Sequence, residues 1–295
     1  MGDLQVQQKK NVQYWVDCWN ATHPFSGPMN EDQLAEFWDK RSGDFAKKIV
    51  SARSRKRCRE NIGFLEAAGV RIKNAKILDI GCGPGTLSLP LARAGAQVTS
   101  LDISAGMLAR LKETADDEGL SIRPVECSWW NADIDKLGFR GGFDLVISSM
   151  TPAIKDAETF DRMMACSRKY CFYLGSLPDR QNPATLDLFC HMRKTPGPLR
   201  SSMGILYPFM YLYLKGYTPE IKINRRKWKE NLDWDKAAEH AIDIISHEQA
   251  CTESMKKKIR SYYKQTAVEG KCSFQNEMFL GMMIWRVDEV NAGKN

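Results

Sequence analysis

No run in this sequence is long and apolar enough for a membrane span. The longest apolar stretch, residues 204–214 (GILYPFMYLYL), stops well short of the roughly 20 residues a spanning helix needs and carries Pro208 in its middle. The N-terminus, MGDLQVQQKK, has no apolar core of a signal peptide, and Val6 stands where a myristoylation signal wants Ser or Thr; neither export nor anchoring is expected from it. Nine cysteines are scattered singly, with no CxxC pair and no Cys/His quartet at zinc spacing. Cys166 and Cys171 are the nearest pair, but they flank a strand start without further ligands, so no metal site is expected. The cysteines read as small core residues of a reducing compartment, which points to the cytoplasm. Internal repeats and low-complexity tracts are also missing.

What is present is the composition of a globular protein: 43% hydrophobic and 27% charged residues over 295 positions, enough for one large domain or a domain with a sizeable insertion. The formal charge of +7 is uneven. Residues 76–175 are slightly acidic, and the basic surplus lies on either side of them. Runs such as Arg53–Arg59 (RSRKRCR), Arg225-Arg226-Lys227 and Lys256–Lys258 fit either solvated helix faces or contact with an anionic partner.

From residue 76 onward, short β-branched or apolar runs (76–80, 97–101, 121–127, 143–148, 170–174) alternate with helical patterns (87–94, 105–118, 157–167). That alternation indicates a parallel sheet of βαβ units. Two further strands are expected at 220–228 and 278–287, with helical patterns between them from Asp233 and Lys256. Residues 31–68 read as helices leading into the first strand. Residues 178–216, which start at Pro178 and are interrupted by Pro183, Pro196, Pro198 and Pro208, read as an elaboration over the ligand edge of the sheet.

The first strand closes on Asp79 and then Gly81, Gly83 and Gly85. A dinucleotide fold wants G-x-G-x-x-G here, but Thr86 occupies the third position. A carboxylate at the strand's tip would repel a pyrophosphate, so NAD and FAD are disfavoured. A ligand with an ammonium and a sulfonium but no phosphate suits an acid followed by glycines, and S-adenosylmethionine is such a ligand. The glycines let the backbone approach its aminoacyl arm, and Asp79 holds the ammonium end. Asp102, at the end of the second strand, is placed to accept hydrogen bonds from ribose hydroxyls.

The segment Asp79-Ile80-Gly81-Cys82-Gly83-Pro84-Gly85, with Asp102 and with Gly142-Phe143-Asp144-Leu145-Val146-Ile147, resembles the signature of class I S-adenosylmethionine-dependent methyltransferases. The likeness covers about residues 37–175 and extends to the terminal strand pair. It implies a Rossmann-like, seven-stranded, mostly parallel sheet with an antiparallel last strand and helices on both faces. The expected organisation is an N-terminal helical cap over 1–75 and a cofactor-binding methyltransferase domain over 76–295, with a helical insertion after strand 5 at about 178–216. Asp79, Gly81, Cys82, Gly83, Gly85, Asp102, Ile103 and Ser148 are then expected to contact the cofactor. The family's acid after the third strand is missing from its usual place, which leaves Ser128 with Trp129, or Asp133, against the adenine; the two tryptophans of this segment also fit plain edge packing.

Phe37-Trp38-Asp39-Lys40-Arg41 is similar to the aromatic helix that covers the cofactor in small-molecule members, with Trp38 over the sulfonium and Arg41 on the methionine carboxylate; helix packing explains the aromatics equally. Asp144 reads as a loop-fixing acceptor. The segment Ser148-Ser149-Met150-Thr151-Pro152-Ala153 does not match the Pro-Pro-aromatic motif of amino-methylating nucleic-acid enzymes. His191 and Tyr207 are the candidates for a catalytic base, and Met203, Tyr207, Met210, Tyr211 and Leu214 fit either an acceptor wall or a core stripe. A small-molecule acceptor is the preferred partner, RNA or a protein side chain the alternative, and a non-catalytic binding protein on the same fold the third reading; no membrane contact is expected.

Overall fold

The computed structural model describes residues 2–21, 30–177, 204–248 and 251–289. Helices α1 (Gly2–Ala21), α2 (Glu31–Ile49) and α3 (Ala52–Ala67) precede β1 (Lys76–Ile80). The central units follow as α4 (Ser88–Arg93), β2 (Gln97–Asp102), α5 (Ala105–Asp117), β3 (Ile122–Glu126), β4 (Phe143–Ser149), α6 (Ala157–Cys166) and β5 (Ser167–Ser176). The chain closes with α7 (Leu206–Leu214), β6 (Glu220–Asp233), α8 (Trp234–Glu248), α9 (Glu253–Thr266) and β7 (Lys271–Arg286). His191 and Met203 lie outside the described residues, as does most of the insertion expected at 178–216.

The strands form one sheet in the order β3-β2-β1-β4-β5-β7-β6. β1 through β5 pair in parallel, and β7 runs antiparallel to both of its neighbours. The expected seven-stranded, mostly parallel sheet with an antiparallel last strand is therefore the observed one. Period-two alternation divides the strand residues between two cores. Leu78, Ile80, Leu101, Val146, Cys171 and Met283 face one. Ile77, Val98, Leu145, Ile147, Phe172 and Ile284 face the other. Strands buried on both faces read as continuous apolar runs, which is why 76–80 and 143–148 were legible as strands.

The chain order turns back between β1 and β4, so the crevice beyond their carboxyl ends is the ligand position of an open α/β sheet. Helix α1 belongs to the core beside α6 and α7. Trp19 is 6% exposed, stacks on Tyr207 at 6.2 Å and meets Phe160 edge-on at 5.5 Å. Tyr211 is buried and donates to Asp161 Oδ2 at 2.6 Å. Of the two readings of the 203–214 stripe, Tyr207 and Tyr211 take the core one.

The last two strands are longer than the expected 220–228 and 278–287. Ser176↔Leu280 ends the pairing of β5 with β7, whereas β6 and β7 stay paired from Arg225↔Phe279 to Asp233↔Lys271. This two-stranded ribbon projects past the carboxyl end of β5 by roughly 30 Å, at about 3.3 Å per residue. Charged residues made its outer part read as loop, but cross-strand pairing supports it: Arg225 and Lys227 face Glu277 on one side. At its far end α8 and α9 build a third core from residues including Ala238, Ile245, Ile259 and Tyr263.

Candidate functional site

Asp79, the penultimate residue of β1, is only 2% exposed. Its Oδ2 accepts from Ser88 Oγ at 2.6 Å, and Ser100 Oγ donates to Ser88 Oγ at 2.8 Å, so two hydroxyls from α4 and β2 fix the carboxylate. Burial pushes its pKa up to about 7, the Ser88 hydrogen bond opposes that, and the negative charge of Asp102 adds to it. The site therefore holds a desolvated carboxylate with no cation bonded to it among the described residues.

The glycine loop is strapped to the neighbouring strand by Gly81 N–H and Cys82 N–H, which donate to the Leu101 carbonyl at 2.8 and 3.1 Å. A Cβ on Gly81, whose φ is +65°, would fall 2.1 Å from Thr151 Oγ1, so glycine there is demanded by the loop after β4. A Cβ on Gly83, φ +55°, would meet nothing within 4 Å. Gly83 leaves its backbone open to the crevice, while Gly85 lies against Leu89 and Leu111 and serves packing.

Asp102, 7% exposed, uses both carboxylate oxygens to hold backbone: Oδ2 accepts Gly83 N–H at 2.8 Å and Oδ1 accepts Ser104 N–H at 2.9 Å. Burial raises its pKa, the backbone N–H groups oppose this, and the charge of Asp39 adds to the rise. Asp39 itself moors α2: its Oδ1 accepts from Ser104 Oγ at 2.5 Å and Gly106 N–H at 2.8 Å. A capping box between Asn30 and Gln33 starts that helix.

These elements enclose a cavity of ≈ 1130 Å³. Asp79, Gly81, Cys82, Gly83, Asp102 and Ile103 line it on the sheet side. Ser128 and Trp129 come from the loop after β3, Trp38 from α2, and Met150 with Thr151 from the loop after β4. Met150 takes a positive φ of 52° and is 52% exposed. Further lining comes from α3, through Arg57 and Asn61, and from the ribbon, through Arg226, Trp228 and Met278.

Several residues read from the sequence stand elsewhere among the described residues. Ser148 is fully buried and outside the cavity lining, and its hydroxyl has no partner. Gly85 and Tyr207 are also outside the lining. Arg41 lies over the Phe37 ring at 3.6 Å and pairs with Asp243 of α8 at 2.9 Å, joining α2 to the ribbon's helices instead of facing the cavity. Trp129 serves both readings: it lines the cavity while its indole N–H donates to the Thr159 carbonyl at 3.0 Å in the core. Asp133 is exposed and closes a turn by accepting from Asp135 and Lys136 N–H. Asp144 accepts from Lys76 N–H at 2.9 Å and Arg168 Nε at 2.8 Å, a structural tie at the start of β1 and far from the crevice.

The α3 and ribbon residues were the part missed. Their signal was present as the i, i+4 pair Arg57 and Asn61 and the period-two set Asn224, Arg226, Trp228, but both sat inside basic runs readable as solvated faces. Among the described residues no group of three or more His, Cys, Asp or Glu side chains is placed to hold a metal, and no helix is long and apolar enough to cross a membrane.

Residues 77–169 match the family model described as a methyltransferase domain. An uncharacterized protein of Haemophilus influenzae is 31% identical over 143 residues, 48% of this chain and 50% of that protein. A 23S rRNA (uracil(1939)-C(5))-methyltransferase of Aeromonas hydrophila is 32% identical over 146 residues, 49% of this chain and 30% of that enzyme. The chain thus spans half or less of the length of these curated relatives. In fold it is similar to magnesium protoporphyrin IX methyltransferase from Synechocystis, solved with bound SAH, at a TM-score of 0.50 and 14% identity, covering 86% of this chain and 98% of that one. With the strand order and the acid-and-glycine turn, the match identifies residues 77–169 as a methyltransferase domain on a methyltransferase-like fold.

Proposed function

We propose that this protein transfers a methyl group from S-adenosylmethionine to a small-molecule acceptor held in the outer part of the same cavity. The observation that carries the reading is the pairing of two buried carboxylates, Asp79 and Asp102, with the open backbone of Gly83 on one side of a ≈ 1130 Å³ cavity. A desolvated, uncompensated Asp79 fits a cationic ligand and repels a diphosphate. The volume exceeds the 300–1,000 Å³ typical of a pocket for one drug-sized ligand, which leaves room for an acceptor.

Asp79 accepts the ammonium end of the cofactor, and the free lone pairs of Asp102 accept the ribose hydroxyls while its other bonds keep the glycine loop in place. Ser128 and Trp129 lie along the adenine. Trp38, held edge-on between Phe37 and Phe45 at 5.0 and 5.8 Å, covers the opening and offers a ring face to the sulfonium, a contact of about 1–2 kcal/mol once desolvated. Bound there, the cofactor supplies a methyl group already activated by positive sulfur. What the protein adds is alignment: fixing the acceptor in line contributes of order 7–11 kcal/mol in favourable cases. Met150 and Thr151 border the acceptor space, and among the described residues no histidine lines it.

The reading includes a location in the reducing cytoplasm. It is supported by eight described cysteines that are all free of disulfides.

Calorimetric titration of S-adenosylhomocysteine, NAD and FAD into the wild type and Asp102→Ala tests the cofactor. Micromolar-range binding of the first ligand alone, weakened by the substitution, is expected; heat from a dinucleotide alone would overturn it. Radiolabelled methyl transfer into a metabolite extract then locates the acceptor. Incorporation into copurified RNA instead, falling steeply with salt, would move the assignment to the macromolecular reading that the basic residues lining the cavity also fit.

A further inference from the structure

One wall of the cavity carries a charge arrangement that methyl transfer does not itself require. Arg57 projects from α3 and Arg226 from the β6 strand of the ribbon; both are half-buried and both line the cavity. Many described arginines are neutralised by carboxylates, among them Arg225 by Glu277, Arg41 by Asp243 and Arg93 by Glu118. Neither Arg57 nor Arg226 has such an ion pair among the described residues. On the inward face of the ribbon Arg226 sits between Asn224 and Trp228 and opposite Met278, so its own sheet gives it no counter-charge there.

Burial, and then the charge of Arg57, push the Arg226 guanidinium below its ordinary pKa; Glu60 opposes them from α3. An arginine does not lose its proton under such pressure, so two like charges are held together in a partly desolvated space. An anion between them relieves that cost and takes up the planar donors of both. A second observation points to a ligand at the same wall. Asn61, one turn along α3 from Arg57, is 6% exposed and lines the cavity, and its side-chain oxygen has no hydrogen-bond partner. An unsatisfied buried polar atom is costly, and a ligand donor satisfies it.

We propose that the methyl acceptor carries an anionic group, a carboxylate or a phosphate, clamped between Arg57 and Arg226, with Asn61 accepting a hydrogen bond from a hydroxyl or amine of the same molecule. The inference rests on the methyltransferase reading and names the chemistry of its substrate. A small molecule is favoured over RNA because Arg57 and Arg226 are half-buried in the cavity wall, unlike the exposed basic residues that also line it, such as Arg53, Lys56, Arg225 and Lys227.

Trp228 shares the strand face of Arg226 and provides a fluorescence signal. Inorganic phosphate and succinate are titrated separately into the wild type, Arg57→Gln, Arg226→Gln and Arg226→Lys, and S-adenosylhomocysteine affinity is measured calorimetrically in each. The expected result is a saturable response in the wild type to at least one anion, weakened about tenfold or more in each Gln variant and partly retained in Arg226→Lys, with cofactor affinity within about twofold throughout. Response to phosphate or to succinate alone assigns the acceptor group. No saturable response to either anion, an affinity that both Gln variants leave unchanged, or Gln variants that weaken the cofactor and not the anions would overturn the clamp. So would a single-stranded RNA that binds through Arg57 and Arg226 while free anions do not. Failure of S-adenosylhomocysteine to bind any of the proteins would instead remove the methyltransferase reading and leave the anion result standing on its own.

Discussion

Replacing Asp79 by asparagine keeps the side chain's shape and removes its charge, and the expected consequences follow from where its pKa stands. Burial holds that pKa at about 7 against an ordinary 3.8. At roughly 1.4 kcal/mol for each pH unit separating the two, keeping Asp79 ionised at neutral pH costs the ligand-free protein about 4 kcal/mol. A carboxylate raised in the folded state binds its proton more tightly there than in the unfolded chain. Its contribution to stability is therefore complete in acid and is lost as pH rises from about 4 through about 7. Urea melts of the ligand-free protein should show that loss, and Asp79→Asn should flatten it.

Cofactor binding should run the opposite way. The ammonium end requires the ionised form, so each pH unit below about 7 weakens binding up to tenfold, or about 100-fold near pH 5, with a proton released on binding. Calorimetry in two buffers of different ionisation enthalpy measures that release directly. Asp79→Asn should bind more weakly at neutral pH and lose most of the slope; what slope is left belongs to Asp102, whose pKa burial also raises. A wild-type affinity for S-adenosylhomocysteine that is flat between about pH 5 and 8, or a slope unchanged by Asp79→Asn, would refute the assignment of the ammonium to this carboxylate.

Two glycines of one loop should separate stability from binding. Gly81→Ala drives a Cβ into Thr151 and should lower the melting temperature sharply or prevent folding, whereas Gly83→Ala meets open space and should cost only the ~1–2 kcal/mol of a left-handed alanine while abolishing detectable S-adenosylhomocysteine binding. Equal effects of both on stability would contradict this. Trp19→Ala should destabilise the protein by about 3–5 kcal/mol in urea melts, because α1 is packed into the aromatic core with Tyr207 and Phe160. A change below about 1 kcal/mol would make α1 a detachable cap.

Local pattern alone determined the parallel sheet, since short apolar runs such as ILDI and FDLVI alternate with helical patterns and so read as strands buried on both faces. It also determined the ligand class: an acid followed by glycines at the end of β1 is readable from neighbours in sequence, and so is the acid closing β2. The tertiary structure decided which of the nearby residues reach the cavity. Gly81 and Gly83 stand two positions apart and look alike on paper, yet only the approach of Thr151 makes one a packing glycine and the other an open one. Arg41 could have faced either the cofactor or α8, and Asp243, two hundred residues away, settled it. Arg57 and Arg226 belong to basic runs whose composition suits a solvated surface. Only the ribbon's projection past β5 brings the second to the wall of the first, because pairing between distant strands is written in no local stretch of the chain.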